Sequence, residues 1–236
     1  MFTVAAQAIT VGIYLFGLRP DPLVVARDAL GTEARERPRL GFATLRVNRR
    51  ARFAVGAVAL SHATMVAVMS MTPVHLYGRG ATLAIVGFTI SLHIAGMFGL
   101  SPVFGWLADR IGRLPVLLGG QAILASALVV AWLGSESHTL AGVSLVLLGL
   151  GWSASTIAAS TMLVDSVPLG DRPGVQGVSD LMMNLAGAAG GALAGPLLTA
   201  VSATPGLGLA CMVLVAGVVL WALLRASAPA DVLIEG

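Results

Sequence analysis

The chain has 236 residues, 57% hydrophobic and only 11% charged, with a mean hydropathy of +0.91. A soluble domain carries roughly 25% charged residues, so this balance excludes an ordinary soluble globule and points to the bilayer. The net charge of +3 and pI near 10 come from 14 arginines and no lysine. Nine of those arginines fall within Arg19–Arg52, which membrane topology explains better than a nucleic-acid partner does.

The first apolar run, Phe2–Leu18, lacks the basic flank and cleavage site of a signal peptide, and it is short for a spanning helix. It reads as the trailing part of a transmembrane helix (residues 1–18), the end of an N-terminal half. Residues 19–52 follow, with mixed charge, three prolines (Pro20, Pro22, Pro38) and a short helical stretch at Leu23–Leu30. They read as a cytoplasmic linker between two helical bundles.

A bilayer core needs about 20 apolar residues per helix. Six segments meet that length: Phe53–Leu76, Thr82–Leu107, Leu114–Leu133, Leu140–Val164, Gly177–Val201 and Gly206–Leu224. The expected fold is therefore an all-α membrane protein, with a six-helix bundle over 53–225, one partial helix before it and a cytoplasmic tail at 226–236. Glycine and alanine recur throughout, as close helix packing in lipid requires. Cys211, the single cysteine, lies in an apolar run and forms no intrachain disulfide. With Arg19–Arg52 inside, only Arg79 lies on the outer side, a strong positive-inside bias.

Between the second and third full spans lies Gly105-Trp-Leu-Ala-Asp109-Arg110-Ile-Gly112-Arg113. The two glycines allow a tight turn and close helix approach, while Asp109 sits near the positive N-terminus of the next helix. The arginines are placed to pair at headgroup level. This segment resembles the signature loop of the major facilitator superfamily, with Leu114 in place of the usual trailing basic residue. The resemblance implies a transporter, with this chain supplying the end of helix six, the central loop and helices seven to twelve. It also implies a cell-membrane, multi-pass location and a partner, either a missing N-terminal six-helix half or a second copy. Asp165, Arg172 and Gly174 flank the later spans, and Gly187, Gly191, Gly195 and Pro196 form a small-residue stripe like those of gating helices.

Substrate sites in such folds lie near the midplane. There the first full span carries Met65 and Met69, and the second carries His93 and Met97, each pair at i, i+4 on one helix face. On antiparallel neighbouring helices these four donors are expected to converge. Thioether and imidazole ligands suit copper(I), whereas a hard cation would want carboxylates. The pattern resembles the M-x-x-x-M and H-x-x-x-M motifs of the CcoA-like copper importers, which implies Met65, Met69, His93 and Met97 as a copper-binding set. Copper is then substrate, and no cofactor is expected. The alternative keeps the superfamily but makes the methionines packing residues and the cargo a drug or metabolite for export.

His62, Met71 and His75 extend the first full span as entry ligands or, for His75, a headgroup-level residue; His138 beside Glu136 is expected to be solvated. Asp180 and Asn184, at i, i+4 near the start of the fifth span, fit proton coupling or, preferably, interhelical hydrogen bonding. Two rivals come from other classes. A seven-helix receptor leaves the signature loop unexplained, and the absence of lysine excludes its retinal-binding form. An intramembrane hydrolase built on Ser153 would need His93 as its base.

Overall fold

The computed structural model describes residues 2–17, 41–134, 136–200 and 217. The predicted helix at Leu23–Leu30, the span Gly206–Leu224, Cys211 and the tail 226–236 lie outside the described residues. The chain divides into two units, Met1–Pro38 and Arg39–Gly236. The first contains α1 (Phe2–Gly17), 16 residues long. At 1.5 Å per residue it measures about 24 Å, short of a bilayer core of about 30 Å.

The second unit is helical throughout its described residues: α2 (Gly41–Val47), α3 (Arg49–Gly78), α4 (Leu83–Gly99), α5 (Ser101–Ile111), α6 (Arg113–Leu133), α7 (His138–Asp165) and α8 (Arg172–Ala200). Four helical stretches among the described residues are long and apolar enough to cross a membrane: Arg49–Gly78, Leu83–Ile111, Arg113–Leu133 and His138–Asp165.

The termini follow from local chemistry. Asn48 caps α3, its side-chain oxygen accepting from the Ala51 N–H at 2.9 Å. Thr82 and Ser137 do the same for α4 and α7. Hydropathy alone starts the first span at Phe53, whereas the helix begins at Arg49 because the Asn48 cap carries it into the polar zone. The last part of the predicted linker is likewise helical, as α2. The second span is broken at Leu100 into α4 and α5, where Pro102 has no N–H to give the Phe98 carbonyl. Gly112, at φ +97°, turns the chain from α5 into α6.

Helix α7 is the axis of the bundle, packing against α3, α4, α5 and α6, while α3 is held on its other side by α8. Glycines make these seams close. A Cβ on Gly120 would lie 2.5 Å from Ser155 Oγ, one on Gly149 2.5 Å from the His93 carbonyl oxygen, and one on Gly190 2.5 Å from that of Ala63. Of the predicted stripe on α8, Gly187 abuts His62 and Gly191 touches Val66, but Gly195 meets nothing within 4 Å.

The arginines gather at one end. Asn48 Nδ2 donates to the Ser166 carbonyl at 2.6 Å, and Arg113 Nε donates to Asp165 at 3.0 Å. The start of α3 and the α5–α6 turn therefore meet at the C-terminus of α7. Among the described residues, only Arg79 lies at the opposite end.

Candidate functional site

The signature loop centres on Arg113. Its Nη2 pairs with Asp109 at 3.0 Å, its Nε with Asp165 at 3.0 Å, and its Nη1 donates to the Ala108 carbonyl at 3.0 Å. Three guanidinium nitrogens thus join α5, α6 and α7, the bonding that a planar fork supports and an ammonium does not. Asp109 lies beside the start of α6, as its place in the sequence implies, and is held there by Arg113, one turn along. Arg110 lies 5.2 Å above the Trp106 ring, a cation–π contact. Gly112 supplies the turn, but a Cβ on Gly105 would meet nothing within 4 Å, so its expected close approach has no partner among the described residues.

Of the four predicted ligands, Met65 is buried, and Met69 and Met97 pack against the same apolar cluster, with Leu124, Leu128 and Leu148. His93 is 0% exposed. Its Nδ1 lies 2.8 Å from the Leu145 carbonyl oxygen, and its Nε2 has no hydrogen-bond partner among the described residues. With only a carbonyl in reach, Nδ1 carries the proton. Convergence of the four was expected from α3 and α4 being antiparallel neighbours. The two helices touch only slightly: α4 packs chiefly on α7, α3 packs chiefly on α8 and then on α7, and His93 is bonded to α7.

A second cluster escaped the sequence reading. Trp152 Nε1 on α7 donates to His62 Nδ1 on α3 at 3.0 Å, with ring centroids 5.8 Å apart and planes at 51°. Phe98 on α4 meets Trp152 edge-on, 6.4 Å between centroids and 77° between planes. His62 and Trp152 are half-buried and Phe98 is 61% exposed. A surface graded this way offers ring faces and one imidazole nitrogen to a solute. The available signal was Trp152 itself, a large aromatic within a run of glycine, serine and alanine.

Buried polarity was also missed. Gln121 Nε2 donates to Ser61 Oγ at 2.7 Å and to Ser155 Oγ at 3.0 Å, joining α6, α3 and α7. Ser153, the nucleophile of the hydrolase reading, hydrogen-bonds Ser101 at 3.2 Å rather than His93. Asp180 and Asn184 are exposed, and their bonds stay within α8. Asn184 Nδ2 donates to the Asp180 carbonyl at 2.7 Å and Gln176 Nε2 to the Asp180 carboxylate at 3.2 Å. Among the described residues this pair makes bonds within its own helix and none to another helix. At the end opposite the arginine cluster, Arg79 pairs with Glu136, and that guanidinium holds the Glu136 carboxyl below the usual carboxylate range.

Comparison with known proteins places these features. Residues 53–235 match the Major Facilitator Superfamily. The chain is 40% identical over 197 residues to the uncharacterized MFS-type transporter YdeG of Bacillus subtilis (strain 168), covering 81% of this chain and 46% of that protein. It is 38% identical over 189 residues to the uncharacterized MFS-type transporter YddS of the same strain, covering 78% and 43%. A more distant relative, the riboflavin transporter RfnT of Brucella anthropi, is 30% identical over 129 residues, covering 55% and 32%. The chain thus spans less than half the length of these relatives.

Proposed function

The chain belongs to the Major Facilitator Superfamily, a membrane-embedded, non-enzymatic class of transport proteins, and we propose that it carries a small, planar organic solute recognised at His62, Trp152 and Phe98. The observation that carries this reading is the Trp152–His62 hydrogen bond beside the exposed Phe98 ring, on three helices of the bundle. Stacking contributes about 1 kcal/mol per aromatic pair beyond burial, enough to select rings over aliphatic solutes. The resemblance to a riboflavin transporter supports a heteroaromatic cargo. We further propose the full superfamily half: six spans over 53–225, the last at Gly206–Leu224, in the cell membrane, completed by an N-terminal half or a second copy.

A second reading, copper(I) carriage through Met65, Met69, His93 and Met97, is favoured by one observation: His93 Nε2 is buried without a partner among the described residues. A soft cation would satisfy it, with thioethers from the neighbouring cluster. Burial of Met65 against Leu124 and Leu128 speaks equally for packing.

One experiment separates the two. Cells carrying the complete transporter are assayed for riboflavin flux and for copper accumulation. Trp152→Ala is expected to lower riboflavin flux about tenfold, through loss of about 1.4 kcal/mol of contact, and to leave copper unchanged. Leucine at Met65, Met69, His93 or Met97 should change neither. Parental riboflavin flux in Trp152→Ala, with copper lost in the leucine variants, would replace the organic-solute reading with the copper one.

A further inference from the structure

Helix α2 is held firmly to the arginine-rich end of the bundle. Its buried face is Gly41, Thr44 and Leu45. Gly41 abuts the Gly174 backbone of α8. Thr44 Oγ1 donates to Asp171 at 3.2 Å, and Arg52 Nη1 donates back to the Arg46 carbonyl at 2.6 Å, capping α2. The opposite face is of another kind. Phe42 and Val47 are 53% and 56% exposed, and Arg46, Arg49 and Arg50 are exposed beside them.

These three guanidinium groups make no ion pair among the described residues. Arg113, at the same end, is balanced by two carboxylates. Three arginines without a counter-charge among the described residues, and two exposed apolar side chains, therefore stand where the first span enters the bilayer. Neither lipid tails nor free water satisfies both: the apolar groups favour the acyl boundary and the guanidinium groups favour phosphate.

We propose that α2 and the first turn of α3 form an interfacial docking site for the phosphate headgroups of anionic lipids. In this arrangement Phe42 and Val47 enter the acyl boundary of the leaflet on the arginine-rich side. Arg46, Arg49 and Arg50 hold lipid phosphates by forked hydrogen bonds. Because α2 is bonded to the α7–α8 turn and to the start of α8, a lipid seated there bears on the end of the bundle that contains the Arg113 cluster. The site does not depend on which solute is carried.

The test uses the full chain reconstituted in phosphatidylcholine vesicles containing a minority of phosphatidylglycerol. Spin-labelled phosphatidylglycerol and phosphatidylcholine report the relative association of each lipid with the protein. The parent is expected to prefer phosphatidylglycerol, with the preference falling as salt rises. Arg46→Gln, Arg49→Gln and Arg50→Gln change exposed side chains that make no ion pair among the described residues, so the fold stays intact. Each should lower the preference by up to about fivefold, and the triple variant should abolish it. Phe42→Ser should weaken association of phosphatidylglycerol without altering its salt dependence. A parental preference in the triple variant would overturn the proposal. So would a parent without preference whose α2 becomes protected from arginine-modifying reagent only when a soluble protein is added, since the patch would then be a protein-docking surface.

Discussion

The α6–α7 seam and the outer side of α4–α5 are built from similar residues and behave in opposite ways. At the seam, Gly120 and Gly151 leave no room for a Cβ, and Leu117, Leu124, Leu145 and Leu148 are fully buried. Along α4–α5, Gly87, Gly99 and Gly105 meet nothing within 4 Å, and Leu83, Phe88, Val103 and Trp106 are exposed. The inner side of α4 nonetheless packs tightly on α7 through Gly96 and Gly149. A glycine in a membrane helix therefore marks a contact only where another backbone arrives. Where none does, the surface is left for lipid or for helices beyond the described residues.

The largest expected effect tests this contrast directly. A Cβ on Gly151 would sit 2.7 Å from the Leu124 backbone nitrogen, an atom that cannot move without shifting α6. Gly151→Ala should destabilise the protein by about 3 kcal/mol, at the upper end of overpacking costs. Gly87→Ala should be neutral or stabilising by up to about 1 kcal/mol, from helix propensity. Thermal unfolding in detergent measures both. Equal losses would break the comparison, because the outer side of α4 would then be packed against another helix.

A smaller effect sharpens the same comparison for polar groups. Gln121 ties Ser61 and Ser155 together inside the bundle, while Asn184 is exposed and, among the described residues, bonded only to its own helix. Gln121→Ala leaves two buried hydroxyls unpaired and should cost about 1–3 kcal/mol. Asn184→Ala should stay within about 0.5 kcal/mol, as surface changes do. A costly Asn184→Ala in the assembled transporter, but not in the isolated chain, would identify α8 as part of an interface with the completing half.

The sequence made some of this legible and hid the rest for physical reasons. Four apolar spans appear as helices near their expected limits, because the length of a hydrophobic run is a one-dimensional quantity. The start at Arg49 was hidden, since an asparagine cap extends a helix past its apolar part. Gly112 and Arg113 were readable as a turn and a charge. The bond from Arg113 to Asp165 was not, because it spans 52 positions and exists only where α7 ends beside the loop. The expected pairing of α3 with α4 rested on their being consecutive, but α4 buries its face on α7 and α3 on α8 and α7, so the two only touch. His62 and Trp152 lie 90 positions apart, and neither has a motif to announce the other.

The smallest effect belongs to the end of the bundle opposite the arginine cluster. Arg79 and Glu136 form an ion pair there, with the glutamate side chain 80% exposed. The Arg79 hydrogen bond is the chief cause holding the Glu136 carboxyl below its ordinary value of 4.5, with Coulombic help from Arg79 and His75. A lowered carboxyl pKa means that the folded chain favours the charged form. The pair's contribution is therefore fully present above pH 4.5 and is lost as pH falls through the lowered value. Exposure and salt keep the contribution small, in contrast to the less exposed Arg113, which bonds two carboxylates and a carbonyl. Glu136→Gln should accordingly lower Tm slightly near neutral pH, and the gap from the parent should close on acidification below pH 4.5 and on addition of salt. Tm measured across that pH range for both proteins is the check. A gap that widens on acidification would mean that Glu136 is stabilised as the neutral acid, and that this end of the bundle, like the seam, buries what it holds.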